Sequence, residues 1–263
     1  MHELVHFIEW KKIAPDQYGK VMEEAASWGV REIVAHPVWG VMEEETPGTL
    51  RKIGALCRRA GLKTPGCHAF WGAGNDLGCP EPAVHEKLVR RHREFLFKLA
   101  ELGIRTYTLH LGLAHQGGNV PGDWEILRKS VEELLPAAQQ TGIVLALENG
   151  SESPEELRHL VALAEEFDCP EVGFCFDTGH ANCYGSRDVK ALLHLMAPRI
   201  AVLHIHDNCG TFDDHNPPGE GNIDWAALVP ELKALPALRN PETESGNWGE
   251  SSWKAFQKIW NIQ

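Results

Sequence analysis

Eight short apolar runs, each leading into a longer amphipathic stretch, constrain this chain more than any other feature of its sequence. The runs are LVHFIEW (4–10), EIVAHPV (32–38), KTPGCHAF (63–70), TYTLHLG (106–112), IVLALEN (143–149), VGFCFDT (172–178), AVLHIHDN (201–208) and a weaker one ending near Glu244. Apolar runs this short, alternating with helical patterns, are what a parallel sheet built from strand–helix units requires. Helical periodicity fills the intervals at 16–28, 48–60, 83–102, 123–140, 153–167, 187–197, 225–235 and 251–261. In 83–102, Val84, Leu88, Phe95, Leu96, Leu99 and Leu102 form one apolar stripe among charged neighbours. Ser153-Pro154-Glu155-Glu156 reads as a helix start, with a capping hydroxyl, proline in the first turn and acids beside the helix N-terminus. Gly29, Gly61, Gly103 and Gly142 each stand between a helical stretch and the next run, where a left-handed terminating residue is expected. Eight such units in one unbroken series predict a closed (β/α)8 barrel. A doubly wound open sheet is disfavoured because no GxGxxG follows the first run. The eighth run is the poorest match, since Arg239, Asn240 and Pro241 are unlike a buried strand.

A chain of 263 residues suits one barrel domain spanning 1–263, and 43% hydrophobic residues supply a sizeable core. The formal net charge of −12 gives no long-range attraction for a phosphate backbone, so nucleic acid is not the expected partner. Arg90, Arg91 and Arg93 on one helical stretch are the sole local concentration of positive charge. Seven cysteines without a CxxC pair are expected to be reduced thiols, with Cys175 acting as a small apolar residue. No apolar stretch approaches the ~18 residues of a membrane span, and MHELVHFIEWKK lacks an apolar signal core, so a soluble cytoplasmic protein is expected.

Polar residues gather where the runs end, which in a barrel is the C-terminal rim that builds the active site. His68 follows the third run, His110 the fourth, Glu148 the fifth, Asp177 and His180 the sixth, and His204 and His206 share a face of the seventh. Carboxylates and imidazoles converging on one mouth are suited to a divalent cation. Glu148 ends five consecutive apolar residues, so it stands at the mouth or is a costly buried charge. In the loop CGTFDDHNPPGEGNIDW after the seventh run, Asp213 and His215 are further candidate ligands. Trp10, Trp39 and Trp71 lie at or just past the first three runs, where indoles either wall a ligand pocket or pack the rim. His36 is expected to be a packing residue.

Taken together, HAF after the third run, LENG (147–150), FDTGHAN (176–182), HIHDN (204–208) and GEGNIDW (219–225) make the chain resemble the xylose-isomerase-like TIM-barrel superfamily. That superfamily includes sugar phosphate isomerases and epimerases and an apurinic/apyrimidinic endonuclease branch. The resemblance implies that Glu148, Asp177, His206 and a strand-eight glutamate hold the principal metal. Glu244 is favoured as that last ligand, with Glu242 on the same strand face as the alternative. His180 would contact substrate or a second metal, and His68, His110, Asp213 and His215 match the endonuclease branch's extra ligands. Phe212 stands near the position where ketose 3-epimerases place an arginine.

The implied activity is isomerisation or epimerisation of a sugar or sugar phosphate through an enediolate, with Glu148 and Glu244 as base and acid. The cofactor is a divalent ion (Mn2+, Zn2+, Mg2+ or Co2+) and the partner a small carbohydrate. Homo-oligomerisation is left open. The alternative from another reaction class is a multi-zinc phosphodiesterase. A sugar-binding barrel without turnover is disfavoured, because binding alone needs no acid/base pair.

Overall fold

The computed structural model describes residues 2–72, 74–111, 123–150, 153–184 and 187–261. Its elements alternate along the chain as the runs anticipate: β1 (Val5–His6), α1 (Tyr18–Ser27), β2 (Glu32–Ile33), α2 (Pro37–Glu45), α3 (Thr49–Arg59), β3 (Gly66–His68), α4 (Pro82–Ala100), β4 (Thr106–Leu109), α5 (Trp124–Thr141), β5 (Val144–Glu148), α6 (Pro154–Phe167), β6 (Val172–Asp177), α7 (Thr178–Cys183), α8 (Val189–Met196), β7 (Ile200–Ile205), α9 (Trp225–Lys233), β8 (Asn240–Thr243) and α10 (Glu250–Trp260). Each strand is shorter than its apolar run, and the residues left over at its C-terminal end form the rim. Residue 112, the end of the fourth expected run, lies outside the described residues.

All strand pairings are parallel, in the order β2-β1-β8-β7-β6-β5-β4-β3. Isolated parallel bridges, Glu32 with Lys63 and Ala35 with Cys67, join β2 to the β3 segment. Ala35 N–H donates to Gly66 O at 2.9 Å and His68 N–H to Ala35 O at 3.0 Å, so the cylinder closes as a (β/α)8 barrel.

Every residue of β5, β6 and β7 is buried, as expected of strands covered on both faces. Leu145, Leu147, Phe174, Phe176, Leu203 and Ile205 turn outward into the main core beneath the helices. Burial of each such side chain contributes roughly 1.5–3 kcal/mol. Val144, Ala146, Cys175, Ala201 and Val202 form a separate small cluster inside the barrel, so Cys175 does behave as a small apolar residue. All seven cysteines are free.

Local chemistry sets the element ends. Ser153 caps α6 in a complete capping box with Glu156, and Gly142 closes α5 at φ 69°, a left-handed conformation that glycine adopts without a side-chain clash. The unpromising eighth run is a strand nonetheless. Asn240 faces the barrel interior and donates from Nδ2 to Thr106 Oγ1 at 2.6 Å, so a side-chain hydrogen bond replaces the apolar contact the sequence rules ask for. Two short helices, α2 and α7, were not anticipated; they start on the side chains of His36 and Asp177, which accept the N–H of Val38 and His180. Among the described residues no helix is long and apolar enough to cross a membrane.

Candidate metal and active site

The C-terminal ends of the strands bring the sequence-derived candidates into one mouth. Its floor is assembled by short polar stitches between adjacent strands. Asn149, just past β5, accepts Asp177 N–H on Oδ1 at 2.7 Å and donates from Nδ2 to Asp177 O at 3.1 Å. Thr178 repeats the device between β6 and β7, donating to His206 O (2.8 Å) and accepting His206 N–H (3.1 Å). Asp177 ends β6 and caps α7, with Oδ1 2.7 Å from His180 N. Its backbone and one oxygen are therefore fixed before any ligand is considered.

At the centre lies His204. Its Nδ1 is 2.6 Å from Glu148 Oε1, 2.7 Å from Glu244 Oε2 and 3.8 Å from Asp177 Oδ2. Ligand atoms of Glu148, Asp177, His204 and Glu244 all lie within 4.8 Å of one another. This set differs from the expected one in its histidine. His206 sits on the far side of Asp177, with Nε2 3.0 Å from Asp177 Oδ1 and 3.7 Å from Asp213 Oδ1. His204 is the last inward position within β7, level with Asp177 in the sheet register, whereas His206 lies one step past the strand end. Spacing showed that the two histidines share a face; only the register decides which one meets the carboxylates.

On one flank, His110 Nε2 approaches Glu148 Oε2 at 2.9 Å and His68 Nε2 at 3.1 Å. Two imidazole nitrogens this close cannot both carry protons comfortably. His68 Nδ1 faces Ala69 O at 3.1 Å, consistent with the proton residing there and a lone pair on Nε2. Burial, then the neighbouring His110, pulls the His68 pKa down to about 4, so its ring is neutral at ordinary pH. On the other flank, His180 Nε2 contacts Asp213 Oδ2 at 3.2 Å and His180 Nδ1 faces Asn149 O at 2.8 Å. His215 Nδ1 lies 3.5 Å from Asp213 Oδ2, and its ring stacks on His206 at 4.1 Å. His215 adopts φ 50°, a left-handed backbone uncommon for a non-glycine residue and typical of functional positions held by their surroundings.

The donor set fits a divalent cation. Glu148, Asp177 and Glu244 crowd one imidazole nitrogen, and a single proton on that nitrogen can satisfy only one of the two carboxylate oxygens within 2.7 Å of it. Burial alone would push the Glu148 and Glu244 carboxyls up. The imidazoles of His110 and His204 around Glu148, and of His204 and His215 around Glu244, outweigh burial and hold both well below the ordinary range. His204 shows the converse: burial lowers it, but the Cys175 sulfur and the Glu244 and Glu148 carboxylates raise it well above its usual value. Donor atoms this crowded and this dry are suited to a divalent cation.

One feature escaped the sequence reading. Asp207 is buried and accepts four N–H groups: Asn208 (3.0 Å) and Ile223 (3.2 Å) on Oδ1, Gly219 (2.9 Å) and the Trp225 indole (2.9 Å) on Oδ2. It folds the β7 loop that carries Asp213 and His215. Glu242, the alternative ligand, is 1% exposed and points into the barrel one layer below Glu244. Trp10 and Trp39 are core residues packed on each other at 5.3 Å, while Trp71 is 46% exposed with its ring stacked 5.8 Å from His110. Phe212, 75% exposed, lies beside Asp213 in the β7 loop. His36, read as a packing residue, is buried but pairs with Glu9 at 3.2 Å.

Comparison with known proteins agrees with this architecture. An uncharacterized Methanocaldococcus jannaschii protein, MJ1311, is 31% identical over 134 residues, 45% of each chain, and Sinorhizobium fredii y4fM is 27% identical over 113 residues, 42% of this chain and 36% of its own. The chain spans less than half the length of these curated relatives. Among solved structures, Escherichia coli YcjR, a 3-keto-D-glucoside 4-epimerase, superposes with TM-score 0.75 at 14% identity over 98% of this chain and 99% of its own. The TTHB071 protein of Thermus thermophilus, soaked with ZnCl2, gives 0.72 at 23% over 97% of both. D-psicose 3-epimerase of Clostridium cellulolyticum H10 gives 0.71 at 17% over 93% and 85%. A family model described as xylose isomerase-like TIM barrel matches residues 22–246, and with strands, rim and side-chain clusters placed as above, the chain belongs to that family.

Proposed function

We propose that the protein is a metal-dependent isomerase or epimerase of a sugar or sugar-like polyol. The observation that carries this reading is the pair Glu148 and Glu244, from opposite sides of the sheet order's β5–β8 arc, meeting at one buried imidazole with Asp177 beside them. Glu148, Asp177, His204 and Glu244 would hold the cation. When bound, a divalent ion supplies Lewis acidity that stabilises negative charge developing on adjacent substrate oxygens. The protein's own groups do the rest. One glutamate takes the proton from carbon and the other returns it, which two carboxylates on different strands can do from different sides of a substrate. His180 has both ring nitrogens engaged, Nδ1 with Asn149 O and Nε2 with Asp213, so it would meet a substrate hydroxyl by exchanging Asp213 for it. Trp71 and Phe212 offer apolar faces for a sugar ring and help exclude water.

Charge favours an uncharged substrate. In the segments joining strand ends to the returning helices, the non-histidine cations are Lys11, Lys12 and Arg187 alone, and acids outnumber them. The epimerase names of YcjR and the D-psicose enzyme agree with this substrate class.

A second reading, multi-metal hydrolysis of a phosphodiester, draws on one specific observation. Beside the central set, ligand atoms of Asp177, His180 and His206, and of His206, Asp213 and His215, also gather within 4.8 Å, while His110 and His68 meet at Glu148 on the other flank. Solvent deuterium incorporation at carbon, measured over a panel of ketoses and aldoses with Mn2+, tests the first reading. Exchange is expected for at least one sugar, and its absence across the panel refutes isomerase chemistry. Nicking of abasic-site duplex DNA with Zn2+ supplied would support the second reading instead. Glu148→Gln is expected to abolish turnover in either case, and full activity in that variant refutes both.

A further inference from the structure

Glu242 is a buried carboxylate that the proposed chemistry does not use. It projects inward from β8, two residues before Glu244, and neither of its oxygens has a hydrogen-bond partner. A buried carboxyl left so costs several kcal/mol once ionised unless a neighbouring group offsets it, and Asn240 and His204 are polar groups beside it. The nearest candidate is His204, whose Nε2 lies 3.6 Å from Glu242 Oε2. That contact is on the opposite edge of the ring from Nδ1, the nitrogen gathered with Glu148, Asp177 and Glu244.

The barrel makes room for this carboxylate. A side chain at Gly66 on β3 would place its Cβ 1.9 Å from Glu242 Oε1 and 3.0 Å from Asn240 Nδ2. Residue 66 must therefore lack a side chain for Glu242 to lie where it does. His204 is further restrained by His68, whose ring stacks on it at 5.6 Å with 19° between planes. With one face stacked and Nδ1 turned to the mouth, a cation would displace the Nδ1 proton, and what the ring then needs is a place for the proton that stays. A carboxylate facing Nε2 fixes the proton there and leaves the Nδ1 lone pair for a cation, because an imidazole ligand must present an unprotonated nitrogen.

We propose that Glu242 is a positioning residue: it receives the Nε2 proton of His204 and so holds Nδ1 in its ligating state. This rests on the proposed cation site and adds a residue that touches neither cation nor substrate. The test is Co2+ titration of cation-free protein, followed by visible absorption and calorimetry, in the wild type, Glu242→Gln and Glu242→Met. Glutamine keeps the acceptor without the charge and is expected to weaken Co2+ binding about 10-fold; methionine removes both and approaches 100-fold. Thermal unfolding of the cation-free variants, expected to match or exceed the wild type, separates positioning from a general loss of fold. Equal Co2+ affinity in all three proteins overturns the proposal while leaving the cation site standing. A wild type that binds no Co2+ overturns the site itself and the proposal with it. Should the variants not fold, 15N-histidine NMR of Zn2+-loaded wild type decides: a protonated His204 Nε2 is expected, and an unprotonated one refutes the role.

Discussion

Gly179 in the DTGH segment gives the sharpest mutational test of how this mouth is packed. It is the second residue of α7, where alanine would ordinarily gain up to ~1 kcal/mol over glycine from helix propensity. An added Cβ, however, would lie 1.9 Å from His206 Cε1, 2.3 Å from Nδ1 and 2.6 Å from Nε2. Ordinary contact begins at 3.4 Å, so the ring must retreat by about 1.5 Å (3.4 − 1.9). It has no space to do so, because His215 is stacked on it at 4.1 Å and 4°. Overpacking of this kind costs about 1–3 kcal/mol, and losing the 3.0 Å contact of His206 with the Asp177 carboxylate costs about 1.5–3 kcal/mol more. After subtracting the propensity gain, Gly179→Ala should destabilise the cation-free protein by about 1.5–5 kcal/mol. Urea unfolding at about pH 7.5 would show a lower midpoint at unchanged slope. Gly19→Ala on α1 is the control, since its Cβ would meet chiefly the mobile tip of Arg59 at 2.7 Å, and it should be neutral or stabilising by up to ~1 kcal/mol. If Gly179→Ala were as stable as Gly19→Ala, the argument that His206 is clamped between α7 and His215 would be wrong.

Further outcomes follow from the same contacts. Asp207→Ala removes the acceptor of four N–H groups and should cost about 3–5 kcal/mol, with proteolysis appearing first between 209 and 222; an unchanged cleavage pattern would refute its anchoring role. His6 and His92 are buried, and burial lowers their pKa values to about 4 and about 3. The unfolded chain, with histidine near 6.5, therefore binds protons first, so stability is full above about pH 6.5 and falls as pH drops toward 4, by roughly 3 kcal/mol for each residue. Urea midpoints from about pH 7.5 to 4.5 measure this, and His92→Phe should flatten the slope by about one proton's worth; an unaltered slope would count against it. Removing divalent cations with a chelator should lower the unfolding temperature of protein purified with its metal, and a temperature insensitive to chelation would argue that no cation is held by Glu148, Asp177, His204 and Glu244.

Much of the architecture was legible because it is written locally. Alternating runs and helical stripes mark strands and helices wherever burial on two faces or on one stripe dictates residue type, as in VLALE and VGFCFD. Ser153 with Glu156, and Gly142, fix helix ends through bonds that reach only a few residues along the chain. The rim position of Glu148, Asp177 and the histidines followed from the same pattern. What local pattern could not supply was the relation between strands. HIHDN holds two histidines on one face, and the register of β7 against β6, with Asp177 level with His204, selects which of them meets the three carboxylates. Likewise PETES offers two glutamates of the same parity, and the depth of β8 in the cylinder puts Glu244 at the mouth and Glu242 beneath it, in space left by Gly66. Asp207 reads as one acid among several until the loop from 209 to 222 closes around it. Sequence determines which face and which end of a strand a side chain occupies, since those depend on neighbours a few positions away. Its partners depend on stagger and closure of eight strands, which arise only when the whole sheet curls on itself.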